Sequence, residues 1–327
     1  MLNAVEQAVA PGYRALRRLK NRVLNLVDAP VIVLAYHRVT RLTSDPHQLA
    51  VTPENFRAQM DYLRRNWVCV RFEADWPGRQ APVVAVTFDD GYADNLHQAL
   101  PILEEMEMPA TFFISTGLLG GSGEFWSDEL ERLVLGSGDY PAVFALQDPG
   151  YGGRWSSTRR EERLAMHNRL HQGMLNIAPA RREGWLEQLA RWAGTGRVGR
   201  QDYRVLTREE LQRLAASPQV TIGAHGVSHT PLAVLSEAEQ RREIVQSRSE
   251  LEKMVGREVA VFSYPFGGKG QYDDTTRRLC REAGFCRAVT TFPGQAHRWT
   301  DPLQIPRQLV RNWDAATFAA RMESFRV

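Results

Sequence analysis

The sequence predicts an α/β fold built on a mostly parallel sheet, and three features carry that expectation. The runs Val31 to Tyr36 (VIVLAY) and Val83 to Phe88 (VVAVTF) are continuously apolar and rich in β-branched residues, as strands covered on both faces must be. Further short apolar runs alternate with amphipathic helical patterns, the arrangement that right-handed crossovers turn into a parallel sheet, open or closed into a barrel. Between Gly117 and Arg204 that rhythm breaks and only helical patterns appear.

In chain order, the first strand ends at His37. Thr52-Pro53-Glu54 then opens a helix through Phe56, Met60 and Leu63, with Thr52 as N-cap and Pro53 at the first helical position. The second buried strand runs straight into Asp89-Asp90-Gly91. A helix is expected over 96–106, a strand over 111–115, helices near 127–135, 159–177 and 181–193 within the interruption, and a short strand from Val220 into His225. A helix over 236–255, a strand over 259–264, a helix near 273–283, strands over 287–291 and 304–310 and a helix from Asp314 complete the chain. The 117–204 stretch reads as a helical insertion covering one rim of the main domain, because it falls between two of that domain's strands.

Composition narrows the class. With 43% hydrophobic and 24% charged residues, the 327-residue chain is long enough for one large α/β domain or one domain carrying a cap. Its 41 basic and 38 acidic residues are interspersed, with no basic stripe or reader motif, so nucleic acid is not an expected partner. Cys69, Cys280 and Cys286 are odd in number and not in paired spacing, which argues against a disulfide scaffold. The opening residues lack the uninterrupted apolar core and small-residue cleavage site of a secretory signal, so the expected location is cytoplasmic and the expected substrate a precursor found there. No run of 18 apolar residues occurs. The 1–30 segment is expected to be amphipathic and helical. From Tyr13 to Val27 it carries Leu16, Leu19, Val23, Leu26 and Val27 at helical spacing among Arg14, Arg17, Arg18, Lys20 and Arg22. Such a helix suits an anionic membrane surface, and packing against the domain is the simpler expectation.

The chemistry concentrates at two strand ends. Asp89 and Asp90 sit at the carboxyl end of a buried strand, where barrel and open-sheet active sites lie, with Gly91 permitting a sharp turn. Val220 to Ala224 likewise delivers His225 and, four residues on, His229, a spacing that puts both imidazoles on one face of a helical turn. Asp90, His225 and His229 form a two-histidine, one-carboxylate set with open positions for water and substrate on a divalent metal such as Zn²⁺ or Co²⁺. Asp89 then remains free to act as base while the metal polarises a carbonyl. His167 and His171 share the four-residue spacing, but they lie within a helical pattern beside Met166, Leu170 and Met174 with no carboxylate to complete a set. That pair is expected to be structural. Tyr92, Phe112, Phe113 and Trp126 are expected to pack in core or cap, although Trp126 could stack on a sugar ring.

Thr87-Phe-Asp-Asp-Gly-Tyr92 and His225-Gly-Val-Ser-His229 resemble the first two motifs of NodB-like polysaccharide deacetylases, carbohydrate esterase family 4. Val33-Leu-Ala-Tyr-His-Arg38, Pro109-Ala-Thr-Phe-Phe113, Phe262-Ser-Tyr-Pro-Phe-Gly267 and Leu303-Gln-Ile-Pro-Arg307 extend the resemblance over most of 31–327 outside the insertion. The resemblance implies a distorted, incomplete (β/α) barrel that removes N- or O-acetyl groups from an acetylated glycan or sugar precursor. It also implies Asp89 as base, Asp90, His225 and His229 as metal ligands, and the backbone N–H of Phe266 as an oxyanion donor. Two departures stand out: Ser263 occupies the place of an arginine that orients the base, making Arg307 the candidate substitute, and no C-terminal leucine-histidine motif supplies the general acid. His297 and His37 are the candidates for that role. The competing readings are a metal-dependent amidase or deformylase on a small or lipid-linked substrate and an inactive glycan-binding module.

Overall fold

The computed structural model describes residues 21–76, 80–121 and 123–326. Residues 1–20 of the expected 1–30 amphipathic segment therefore lie outside the described residues, and 21–27 are helical. The strands are β1 (Val31–Tyr36), β2 (Arg38–Val39), β3 (Ala50–Val51), β4 (Val68–Cys69), β5 (Val83–Phe88), β6 (Ala110–Ile114), β7 (Val143–Leu146), β8 (Gly153–Ser156), β9 (Val220–Ala224), β10 (Val261–Ser263), β11 (Arg287–Val289) and β12 (Gln308–Leu309).

One eight-stranded sheet runs β11-β10-β9-β6-β5-β1-β12, with β4 also pairing β5, and its pairings are parallel. All six residues of β1 and of β5 are buried, because each strand is covered on both faces. Alternation sorts their side chains. Ile32, Leu34, Tyr36, Val84, Val86 and Phe88 join the large cluster beneath the outer helices, whereas Val31, Val33, Val83 and Ala85 join Phe113, Val261, Val289 and Ile305 in a separate inner cluster. The sheet therefore curls into a distorted, incomplete barrel. Its two edges approach through the segment after β11, where Ile305 bridges Val289 and Gln308 pairs Leu34 of β1. Pro306 interrupts this segment, so the strand expected over 304–310 is reduced to two residues and a bridge.

Local signals explain most boundaries. Thr52 caps the helix Pro53–Asn66 by accepting the Asn55 N–H. Ser236 and Glu239 form a capping box at the start of the helix Glu237–Val255. The helix expected over 96–106 opens instead as a π-turn, Asn95–Ala99, before continuing as Leu100–Glu105; Pro101 has no N–H to give to the preceding turn.

The interruption contains the helices Trp126–Leu135, Arg160–Met174 and Pro179–Ala193, with a core of its own that includes Leu130, Leu133, Leu170, Trp185 and Leu189. It is not purely helical. β7 and β8 form an antiparallel hairpin whose four-residue strands, one with only half its side chains buried and one with none, lack the continuous apolar run that marks β1. Phe266, from the loop after β10, packs against this core, so the insertion lies over the rim formed by the carboxyl ends of the strands.

Candidate functional site

The alternation that fills the barrel with apolar side chains continues one layer further into polar ones. Val83, Ala85, Thr87 and Asp89 share one face of the β5 segment, as do Val261 and Ser263 on β10 and Ile305 and Arg307 near β12. The structure brings their polar members together. Arg307, 1% exposed, donates from Nη1 to Asp89 Oδ1 at 2.8 Å and from Nη2 to Asp89 Oδ2 at 2.6 Å. Its remaining donors reach Thr290 O, Thr87 Oγ1 and Ser263 Oγ at 3.0, 3.2 and 3.2 Å. Ser263, where the resembling family has an arginine, supplies the space and a hydroxyl for the guanidinium arriving from the other side of the barrel, and its Oγ also lies 3.3 Å from Asp89 Oδ2. Burial alone would push the Asp89 carboxyl up, but Arg307, with help from His225, holds it below the usual carboxylate range.

Asp90 turns the other way, because its backbone has φ 76°, in the left-handed region that aspartate tolerates better than most residues, and Gly91 follows with φ 86°. A side chain on Gly91 would meet Ile114 at about 3.1 Å. The adjacent carboxylates thus point to different places, Asp89 toward Arg307 and Asp90 toward the histidines. Asp90 Oδ1 lies 3.3 Å from His225 Nε2 and 3.2 Å from His229 Nε2. Burial raises the Asp90 carboxyl, but the imidazole neighbours, His229 foremost, hold it well below the ordinary value.

His225 is delivered by β9 and fixed by its backbone N–H to Ile114 O, 3.0 Å. Its Nδ1 meets Ser263 O at 2.7 Å, which makes Nδ1 the protonated nitrogen and leaves Nε2 as a lone-pair donor. The two histidines do not share a helical turn. Residues 225–230 form a non-helical loop with φ 74° at Gly226 and 50° at His229. The loop folds around Glu243, whose Oε2 accepts the Val227 and Ser228 N–H groups at 2.7 and 2.9 Å while Oε1 accepts Ser228 Oγ at 2.7 Å. Glu243, on the helix Glu237–Val255, escaped the sequence reading because it lies 14 to 18 residues from the candidate ligands His229 and His225 within an ordinary amphipathic pattern.

This set fits a divalent metal. The candidate ligand atoms of Asp90, His225 and His229 lie within 4.8 Å of one another, the one such group among the described residues, and Asp90 Oδ1 is buried without a hydrogen-bond partner. Metal bonds of about 2.0–2.1 Å at tetrahedral angles separate neighbouring ligand atoms by about 3.4 Å, close to the two N···O distances above.

The other expected residues fall on both sides of this centre. His37 follows β1, whose register with β5 sets Tyr36 beside Phe88 and hence His37 beside Asp89. Asn95 Nδ2 holds its carbonyl at 2.9 Å, and its Nδ1 is buried and unpaired. Burial lowers the His37 imidazole despite the opposing pull of Asp90 and Asp89. Phe266 has φ 63°, strained for an aromatic residue, and its ring lies 4.7 Å from that of His229. His297 lies elsewhere. Ala296 pairs with Val31 at the amino end of β1, and His297 Nδ1 bonds Asp28 O at 3.0 Å, so the whole strand separates it from Asp89. The Pro-Gly-rich loop in which it sits runs beneath the barrel rather than over its mouth.

Trp126 is 7% exposed, with its ring against those of His171 and Phe266 and beneath the Arg182 guanidinium, which leaves it as cap packing rather than a sugar platform. Tyr92, 3% exposed, donates to Asp128 Oδ2 at 2.7 Å and so ties the loop after Asp90 to the insertion.

A family model for polysaccharide deacetylases matches residues 78–136 and 188–288. The unmatched gap lies within the insertion. YxkH of Bacillus subtilis (strain 168), whose own naming as a polysaccharide deacetylase is provisional, is 22% identical over 306 residues, 91% of this chain and 78% of YxkH. Among solved structures, the Streptococcus pyogenes deacetylase PplD in complex with acetate superimposes with a TM-score of 0.58 at 16% identity, covering 91% of this chain and 99% of that one. IcaB from Ammonifex degensii gives 0.57 at 17% identity, with 92% and 99% covered. At such identities the two superpositions speak for the barrel alone, and the family model together with the curated relative makes the chain similar in sequence to polysaccharide deacetylases.

Proposed function

We propose that the protein is a metal-dependent hydrolase that removes N-acetyl groups from an acetylated amino sugar. The observation that carries this reading is the division of labour between Asp89 and Asp90: one carboxylate is gripped by Arg307, and its neighbour is turned toward two histidines at ligand spacing. A glycan-binding module needs neither feature.

Asp90, His225 and His229 would hold the ion, with Zn²⁺ or Co²⁺ suited to two imidazoles and a carboxylate. Bound there, the ion supplies Lewis-acid polarisation of the acetyl carbonyl and a lowered pKa for water. Asp89 takes the proton from the attacking water. Arg307 keeps that carboxylate ionised and aimed, and Asp89 Oδ1 still has a lone pair free beyond its bond to the guanidinium. We assign the Phe266 N–H as donor to the developing oxyanion, a contribution worth roughly 3 kcal/mol where such donors have been removed in other enzymes. His37, beside Asp89 with an unpaired ring nitrogen, returns a proton to the departing amine. The reaction balances as amide plus water giving acetate and a free amino sugar.

The test is acetate release after addition of Zn²⁺ or Co²⁺, screened against polymeric, lipid-linked and nucleotide-linked N-acetylated sugars. Release from at least one class that stops in chelator is the expected result. Release only from small non-sugar amides would replace this reading with an amidase. His37→Ala should slow the productive substrate by roughly 10²-fold or more, the usual loss for a general acid, whereas His297→Ala should leave the rate nearly unchanged. The reverse result would move the acid to the other end of the barrel.

A further inference from the structure

The β1–β5 ladder stops just short of the chemistry. Its register ends at Tyr36 and Phe88, and one further backbone bond runs from the Asp89 N–H to Tyr36 O at 3.0 Å. Past that point Arg38 and Val39 leave to pair with Ala50 and Val51 of β3, and Asp90 enters its left-handed turn. His37 and Asp90 therefore sit on strand ends that the sheet ladder no longer ties together. Three bonds of another kind cross the gap. Arg38 Nε donates to Asp94 Oδ2 at 2.9 Å, the Val39 N–H donates to Asp94 Oδ1 at 2.8 Å, and Asn95 Nδ2 donates to His37 O at 2.9 Å.

Arg38 is the centre of this arrangement. It is 3% exposed, and its guanidinium carbon lies 4.3 Å from the centre of the Tyr92 ring, two residues after Asp90, and 4.6 Å from that of the Tyr203 ring. Nη2 donates to Asp202 O. Asp202 and Tyr203 lie where the chain leaves the insertion for the helix Arg208–Ala216, and the Tyr203 hydroxyl is itself bonded to Ser44 O at 3.0 Å. One guanidinium thus gathers the turn after Asp90, the turn carrying His37 and the exit of the insertion. Stability alone does not call for it, because a buried ion pair gains little beyond its own desolvation and apolar residues of similar volume often do as well. What a planar fork with rings against it supplies is a single geometry.

We infer that Arg38 is a positioning residue that, through Asp94 and Tyr92, fixes the distance between the proton donor His37 and the metal carboxylate Asp90. This rests on the reading of His37 as general acid. The base and the histidine loop have supports of their own, Arg307 for Asp89 and Glu243 for the residues between His225 and His229, so loosening the Arg38 contacts displaces the acid first. A proton donor is needed by an amine that must depart neutral and matters little to a group that leaves as a stable anion. A misplacement of about 1 Å is enough to cost a rate roughly 10²-fold.

The experiment compares turnover of the productive N-acetylated sugar with turnover of para-nitrophenyl acetate, per metal-loaded folded molecule, in the wild type, Arg38→Lys, His37→Ala and the double variant. Arg38→Lys keeps the charge and loses the fork. Its ratio of amide to ester turnover should fall about tenfold, and adding it to His37→Ala should lower that ratio no further, because the two residues act as a unit. In imidazole NMR spectra the His37 signal should move in Arg38→Lys while those of His167 and His171 stay in place. Tyr203→Leu removes one ring from the guanidinium without touching either turn; it should repeat both effects more weakly, and it carries the test if Arg38→Lys does not fold. Equal loss of amide and ester turnover, an unmoved His37 signal, or a further fall of the ratio in the double variant overturns the inference. An undiminished amide rate in His37→Ala would remove the acid assignment itself, and the inference with it.

Discussion

Two pairs of histidines, each four residues apart, divide the molecule into a chemical region and a packing region. His167 and His171 lie on the helix Arg160–Met174 and are buried beside Met166, Leu170 and Met174. His167 Nδ1 meets Asn168 Oδ1 at 3.3 Å, and His171 stacks against Trp126 at 5.1 Å and lies tilted against His47 at 4.4 Å. Burial is the first cause that lowers both imidazoles, so they serve as neutral aromatic packing. His225 and His229 are equally buried but face Asp90. The difference teaches that spacing selects nothing by itself. A strand end brings carboxylates and open backbone to the histidines, whereas a helix interior brings methionine and leucine.

The sharpest way to break this contrast is to exchange the consequences. His225→Ala or His229→Ala should remove bound Zn²⁺, measured by elemental analysis after dialysis, and lower acetate release by roughly 10³-fold or more, since a Lewis acid supplies several kcal/mol of the barrier reduction. The double variant His167→Ala/His171→Ala should keep its metal and most of its turnover per folded molecule, and lose about 2–4 kcal/mol of stability in urea melts through the cavities left in the insertion core. Metal retained without His225 and lost without His167 and His171 would transfer the centre to the insertion.

The sequence was most legible where one residue's environment is set by its own strand. β1 and β5 read correctly because both of their faces are covered, and the positions of Asp89 and Asp90 follow from where β5 ends. Legibility fell where geometry depends on distant chain. Glu243 reaches Val227 and Ser228 from another helix, the hairpin β7–β8 rests on side contacts rather than apolar runs, and the loop from His225 to His229 bends through left-handed residues instead of forming the helical turn its spacing suggested. His297 shows the same limit from the other side, because a plausible loop composition says nothing about which end of a barrel the loop covers. Arg307 was found by a departure: once Ser263 stands where the resembling family has arginine, the barrel interior needs a cation for Asp89 from some other strand.

Within the chemical region, Asp89→Asn should keep the metal and lower turnover by about 10²–10⁴-fold, the usual loss when a general base is removed. Loss of metal together with turnover would reverse the roles of the two carboxylates. Arg307→Lys should have a smaller effect, roughly 10–10²-fold, because the charge stays while the planar fork is lost. Arg307 holds the Asp89 carboxyl below its ordinary value. Weakening that grip raises the carboxyl toward ordinary values, so the acid limb of the pH–rate profile should move to higher pH. The sign for stability is the same: a depressed carboxyl stabilises the fold above its unfolded value near 3.8 and loses that contribution as pH falls through the folded value. The variant should therefore show a shallower loss of stability on acidification. An unmoved acid limb with reduced turnover would mean that Arg307 acts only in packing.

The smallest expected effect falls on Glu243, and it separates the two histidine pairs by how each is built. His167 and His171 are set by local helix geometry, which no distant side chain needs to support. The loop carrying His229 is instead held by a carboxylate that accepts two backbone N–H groups and one hydroxyl. Glu243→Gln keeps the size and one acceptor oxygen but removes the charge and turns the other oxygen into a donor facing its former partners. Each charge-assisted bond of this kind contributes about 1.5–3 kcal/mol, and supporting residues of this type typically tune metal affinity by roughly 10–100-fold. The variant should fold with a lowered melting temperature, bind Zn²⁺ about tenfold more weakly in a competition titration, and regain most of its turnover when the metal is raised to saturation. Ring contacts among His47, His167 and His171, followed by their imidazole NMR signals, should stay where they are. A variant that loses turnover even at saturating metal would show that Glu243 positions more than the loop. Shifted signals from the packing pair would show that the two regions are coupled through Trp126, whose Nε1 reaches His229 O at 3.4 Å while its ring stacks on His171.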